Sequence, residues 1–162
     1  MYSCKKGGII GFDGYKKVKG NKLSVLVDQN GTPLSCVVSP ANIHDSRLYK
    51  PTIEAFAPSE KELKVKTITA DAAYDTLEIR TYNNQNGIQT NIPINKRNTK
   101  DPENRRAEQF DLDLYKKRGA VERFFSWIEA FKKIVPRHER KEGSFIGLVL
   151  FACGIMIYRV LG

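Results

Sequence analysis

The chain reads as one α/β domain in which a mixed sheet is flanked by helices. Three observations predict this. Two β-rich runs flank Asn30-Gly31, a dipeptide that readily takes the positive φ of a tight hairpin turn. Residues 65–70 form a nearly continuous apolar and threonine run, short enough for a buried strand. Val121, Phe124, Phe125, Ile128, Phe131 and Val135 recur at three- and four-residue steps, the period of an amphipathic helix. A length of 162 residues suits a single domain with a proper core.

In chain order, residues 1–20 are rich in Gly and Lys without periodicity and read as a basic loop or arm. Residues 22–28 alternate partly and turn through Gln29-Asn30-Gly31-Thr32 into a returning strand at 33–39. A helix begins at Asp45, a good N-cap, and runs to about Phe56. Pro51 limits or kinks it, because proline lacks the N–H and crowds the preceding turn. A charged connection leads to the strand at 65–70. A helix over about 75–84, a turn at Asn86-Gly87 and a strand over 88–94 follow. Residues 95–109 are polar, basic and pattern-free: a surface loop, or a segment that orders on its ligand. The periodic helix spans about 114–134 and stops at Pro136. An apolar helix at 144–161 closes the chain. Its uninterrupted apolar run, residues 145–158, is 14 long, against roughly 20 for a membrane span, so it reads as a core helix and no membrane is expected.

The charge balance is unusual. The chain holds 27 Lys+Arg against 18 Asp+Glu, a net charge of +9. Residues 1–22 carry six lysines and one acid, and residues 96–141 carry fourteen Lys/Arg against eight acids. Such clustering fits a polyanion, nucleic acid before an anionic membrane surface, with plain solubility as the alternative. Lys132, Lys133 and Arg137, with Lys16, Lys17, Lys19 and Arg123, are the candidate phosphate contacts; each could equally sit on a solvated face. Cys4, Cys36 and Cys153 are odd in number and widely spaced, which argues against a disulfide framework or zinc cluster and for a reducing, cytoplasmic compartment.

Two acids could do chemistry. Asp71 ends the 65–70 run, at the carboxyl end of a strand, where open α/β sheets place ligands. Glu122 falls with Tyr115, Arg118 and Glu129 on one stripe beside the apolar face of the long helix. Two carboxylates brought together repel, so a hard divalent cation is their natural partner. A pair of such ions roughly 3.5–4 Å apart suits in-line displacement at phosphorus. Spacing alone leaves plainer readings open: Arg118 and Glu122 as an ordinary i,i+4 pair worth ~0.2–0.5 kcal/mol, and Asp71 as a strand terminator. His44 and His138 are far apart, and Ser126 has no histidine nearby, so neither a metal pair nor a hydrolase triad is supported.

Tyr115-x2-Arg118-x3-Glu122 resembles most of the Y-x2-R-x3-E-x6-K signature of insertion-sequence DDE transposases. Ala70-Asp71-Ala72-Ala73-Tyr74-Asp75 is similar to the A-D-x-x-Y-D block that carries that family's second catalytic aspartate. The segment Gly11-Phe12-Asp13-Gly14-Tyr15-Lys16-Lys17-Val18-Lys19-Gly20, then Val27-Asp28 and Gly31, looks like the family's second-strand region, and His44-Asp45-Ser46 fits as well. The resemblance runs in order from residue 7 onward. It implies a ribonuclease-H-like fold and cut-and-join chemistry on element ends, with Asp71 and Glu122 as catalytic metal ligands for Mg²⁺ or Mn²⁺, two ions in the intact enzyme. Arg118 and Tyr115 would support Glu122. It also implies DNA as partner, self-association and a prokaryotic, nucleoid-associated location.

Two departures stand out. The family's first catalytic aspartate lies on a first strand ahead of the Gly/Lys loop, and Met1-Tyr2-Ser3-Cys4 offers no such acid. Loss of that central strand would leave its neighbours with unpaired backbone groups. The expectation is therefore a partial catalytic domain over 1–162, inactive alone, whether through a deletion, an internal start or a separately encoded N-terminal half, or else a non-catalytic DNA-binding remnant. The signature's last lysine is replaced by Glu129, which would repel phosphate.

Overall fold

Thr52, buried on the first helix, donates its hydroxyl to the Leu48 carbonyl at 2.7 Å and lies 2.7 Å from the Ser24 hydroxyl on the longest strand, from which it accepts. This contact fixes one face of the sheet. In the computed structural model, residues 2–3, 10–56, 64–95, 110–131, 134, 139 and 141–161 are described. Strands β1 (Tyr2–Ser3), β2 (Gly11–Asp13), β3 (Val18–Val27) and β4 (Pro33–Pro40) precede helix α1 (Asp45–Glu54). Strand β5 (Thr67–Thr69), a 3-10 turn (Ala72–Tyr74), helix α2 (Leu77–Gln85) and strand β6 (Gln89–Asn91) come next. Helices α3 (Leu112–Lys116), α4 (Gly119–Glu129) and α5 (Glu142–Leu161) complete the order. The segment 96–109, Cys4, Lys132, Lys133, Val135, Pro136, Arg137 and His138 lie outside the described residues.

The strands form two sheets. In the first, β3 is the antiparallel partner of β1, β2 and β4. Gly20 pairs with both Ser3 and Gly11, and Asn21 with both Tyr2 and Pro40. A residue has one neighbour on each edge of its strand, so β2 and β4 follow one another along one edge of β3 and β1 lies on the other. The second sheet is the parallel pair β5–β6, joined through α2 as parallel strands require. Each sheet has its own core. Leu23 packs with Phe124, Ile128, Ile134, Phe145, Val149 and Met156 of the α4/α5 layer. Tyr49 packs with Ile68, Ile79, Ile88 and Ile92 around the second sheet.

The α/β class and the hairpin around Asn30-Gly31 follow the sequence expectation, and four details correct it. Residues 1–20 are not a basic loop throughout: β2 and the start of β3 form a second hairpin. Its turn needs no apolar period, because Asp13 Oδ1 accepts the N–H groups of Tyr15 and Lys16, each at 2.9 Å, and Lys17 turns the chain with φ 53°. The N-cap of α1 is His44, whose Nδ1 accepts from the Ser46 N–H at 3.3 Å, while Asp45 sits in the first turn and pairs with Lys22 at 2.8 Å. The helix expected over 114–134 is broken between Lys116 and Gly119. There Arg118, Ala120 and Val121 donate three residues back, to Tyr115, Lys117 and Arg118, a tightened turn. Finally, α5 begins at Glu142.

α5 is 20 residues long and apolar enough to cross a membrane by length and composition. One face (Phe145, Val149, Ala152, Cys153, Met156) is buried against the first sheet's core, while Leu150, Phe151 and Tyr158 are exposed. Cys36 of β4, half-buried, and Cys153 of α5, buried, are free thiols.

Candidate functional site

The sheet edges decide where a site can lie. A cavity of about 640 Å³ separates β3 from β5. Tyr49, Thr52 and Ile53 of α1 line one side, and Arg118, Val121 and Phe125 line another. Asp71 stands on this cavity two residues beyond β5. Its Oδ1 accepts the Ala73 N–H at 2.9 Å and caps the 3-10 turn, which fixes the carboxylate's position. Tyr74 at the end of that turn also lines the cavity; burial first, then the nearby charges of Asp45 and Asp71, push its phenol up.

Tyr115, Arg118 and Glu122 are brought together. The Arg118 guanidinium lies 5.5 Å from the Tyr115 ring centroid and pairs with Glu122 at 3.8 Å. Phe110 packs on the other side of the assembly, its ring 5.2 Å from that of Tyr115. The expected stripe therefore survives the helix break, because the tight turn at Lys117-Arg118 keeps Tyr115 one turn below Arg118. Glu129 lies exposed farther along α4.

Asp71 and Glu122 are not shown to share a cavity. Asp71 lines it, whereas Glu122 is absent from its lining and its side chain is 71% exposed. Among the described residues no group of three or more His, Cys, Asp or Glu could hold a metal ion.

The basic candidates are placed differently. Lys16, Lys17 and Lys19 are exposed on the β2–β3 hairpin beside Tyr15. Arg123 is exposed on α4 and donates to the main-chain oxygen of Gln29 at 3.1 Å, so its first role is to hold the β3–β4 turn.

Sequence reasoning placed Asp75 in the A-D-x-x-Y-D block but gave it no role. Its carboxylate is fully buried, accepts from Arg80 Nε at 2.7 Å and from the Asn95 N–H at 2.7 Å, and Arg80 in turn donates to the Ile92 carbonyl at 3.1 Å. This network supports the loop that presents Asp71. The sequence shows a basic residue five positions after the acid, but not that the two pair in the interior.

Comparison with known proteins fits this layout, an acid at a strand end beside a cleft in an α/β domain. A family model described as the transposase DDE domain matches residues 3–157. The chain belongs to the DDE transposase family. It is 26% identical over 147 residues to a proposed transposase of insertion sequence element IS402 from Burkholderia cepacia, covering 88% of this chain and 64% of that protein. It is 28% identical over 138 residues to a proposed transposase of insertion sequence element IS6501 from Brucella ovis, covering 85% of this chain and 98% of that protein. The chain thus spans less than two thirds of the first relative. No solved structure matches it.

Proposed function

We propose that the chain is the catalytic portion of an insertion-sequence transposase with a ribonuclease-H-like arrangement, acting on DNA at element ends. Water cleaves a phosphodiester there, and the freed 3′-hydroxyl attacks target DNA. Asp71 and Glu122 are the catalytic carboxylates and the ligands for Mg²⁺ or Mn²⁺, with Arg118 and Tyr115 positioning Glu122. The metal would supply charge neutralisation at the transferring phosphate. The observation that carries the reading is the family match over residues 3–157, with Asp71 held on the cavity at a strand end. Lys16, Lys17, Lys19 and Arg123 contact phosphate, together with Lys132, Lys133 and Arg137. Self-association on paired ends belongs to the same reading.

The decisive experiment measures cleavage of element-end DNA by an active form of the transposase. Replacing Asp71 or Glu122 by Ala should abolish Mg²⁺- or Mn²⁺-dependent cleavage, and retained activity removes that residue from the site.

A second reading is favoured by one observation: Glu122 is exposed and, among the described residues, pairs with Arg118 alone, at 3.8 Å. In it the chain binds DNA without cutting, as a remnant or repurposed domain. Salt-dependent binding that ignores added Mg²⁺, with no cleavage, would select it.

A further inference from the structure

The β2–β3 hairpin carries two aromatic rings that the core does not take up. Tyr15, at the tip, is 95% exposed, and Phe12, on β2, is 52% exposed. The Tyr15 side chain has no hydrogen-bond or ring partner among the described residues. Nor does the turn depend on it. Asp13 Oδ1 accepts the main-chain N–H groups of Tyr15 and Lys16, each at 2.9 Å, and Lys17 reverses the chain with φ 53°. The base of the hairpin is pinned as well: a β-carbon at Gly11 would stand 2.7 Å from the Asn42 main-chain nitrogen. A rigid ribbon thus holds the Tyr15 ring out at a fixed place.

Cations are interleaved with the two rings. Phe12 pairs with Lys19 across the hairpin, so their side chains stand side by side on one face, with β-carbons roughly 4.5–5.5 Å apart. Lys16 and Lys17 follow Tyr15 around the tip, and all three lysines are exposed. The acid of this segment, Asp13, turns Oδ1 to the main chain. An exposed apolar residue standing singly is ordinary. Rings set among ammonium groups are different, because they match a single nucleic-acid strand: each ring covers a base face, and each cation meets a phosphate. An intact duplex offers the phosphates but not the faces, which its own stacking already covers.

We infer that the β2–β3 hairpin is a stacking platform for unpaired DNA, with Tyr15 against a base and Lys16, Lys17 and Lys19 on the neighbouring phosphates. Phe12 offers a second base face farther down β2. The inference rests on the DNA reading above and adds the form of DNA held: a strand that is open or overhanging, in preference to blunt duplex.

The test is fluorescence anisotropy on the full chain with three labelled ligands of one mixed sequence: a single strand, a blunt duplex, and a duplex with an unpaired overhang. Tyr15→Ala should weaken binding of the single strand and the overhang at least about fivefold, the lower end for loss of one base–aromatic stack. Blunt duplex should weaken less than about twofold. The salt slope should stay that of the parent, since no phosphate contact is removed. Tyr15→Phe keeps the ring and should bind like the parent, whereas Tyr15→Leu, apolar without a π face, should resemble Tyr15→Ala. The N–H that Asp13 accepts is present in every variant, so far-ultraviolet circular dichroism should not change. Parent-like binding by Tyr15→Ala overturns the platform, as does equal weakening on blunt duplex or rescue by Tyr15→Leu. If the chain binds blunt duplex while Tyr15→Ala changes nothing, the DNA reading stands and the platform falls. If the parent binds none of the three ligands, both fall.

Discussion

Gly31 lies so close to Ala120 that a β-carbon there would stand 2.9 Å from the Ala120 carbonyl oxygen, and Gly31 itself has φ +91°. The β3–β4 turn is therefore seated on the first turn of α4, where Arg123 also grips the Gln29 carbonyl at 3.1 Å. Only glycine meets both demands. Gly31→Ala should lower stability by about 1–3 kcal/mol, the range for a non-glycine residue held at an unfavourable φ. The check is the urea midpoint. An unshifted midpoint would mean that the turn does not rest on α4.

Asp75 and Arg80 form the interior counterpart of the exposed Arg118–Glu122 pair. Removing one partner of a buried pair leaves an uncompensated charge and costs about 3–5 kcal/mol, so Asp75→Ala should unfold the chain at markedly lower urea. Replacing both Asp75 and Arg80 by apolar residues should cost less than the sum of the single changes. Glu122→Ala, by contrast, should leave the midpoint close to that of the parent. Equal losses at Asp75 and Glu122 would contradict the assignment of Asp75 as structural.

The β2–β3 hairpin offers a prediction about DNA. Lys16, Lys17 and Lys19 project from a turn fixed by Asp13. If each meets a phosphate, replacing any one by Ala should lower the salt slope of duplex binding by about 0.9, uniformly across sequences. Fluorescence anisotropy at several salt concentrations measures this. An unchanged slope in the triple variant would remove the hairpin from the interface.

The same turn should be sensitive to acid. The main-chain N–H of Lys16, with that of Tyr15, holds the Asp13 carboxyl below its ordinary value. A depressed pKa means that the carboxylate's contribution is present above the unfolded value and is lost as pH falls through the folded one. The Tyr15 and Lys16 amide resonances should therefore keep their positions through neutral and mildly acidic pH. They should move only below the usual carboxylate range, and in Asp13→Ala they should be displaced at every pH. A midpoint at or above the ordinary value would refute the capping role.

Local order was legible where periodicity or turn chemistry is strong. Asn30-Gly31 announces its hairpin, and the 3.6-residue period finds Phe124 and Ile128, both buried. The break before Gly119 was not legible, because the tightened turn preserves the side-chain sequence of a continuous helix. Nor was the first hairpin, whose glycines and lysines look like a loop until Asp13 is seen to cap it. The division into two sheets accords with the expected gap at the central strand, although the strand patterns of β3 and β5 alone do not show it. Asp71 was found by its place after a strand, whereas Asp75 needed tertiary structure to reveal Arg80 and Asn95 around it.

Arg118 is where the chemical reading meets its sharpest test. Its guanidinium lies over Tyr115 at 5.5 Å and reaches Glu122 at 3.8 Å, and a planar, delocalised cation does both in a way that lysine does not. As a mere i,i+4 pair this is worth only ~0.2–0.5 kcal/mol, so Arg118→Lys should shift the melting temperature very little. If Glu122 works on the phosphodiester, the same variant in an active transposase should lose at least tenfold in cleavage rate, expressed in kcat more than in KM. Tyr115→Phe, which keeps the ring, should retain most of the rate, and Tyr115→Ala should resemble Arg118→Lys. Parent-like cleavage by both Arg118→Lys and Tyr115→Ala would leave the three residues as a solvated helix surface and return Glu122 to an ordinary ion pair.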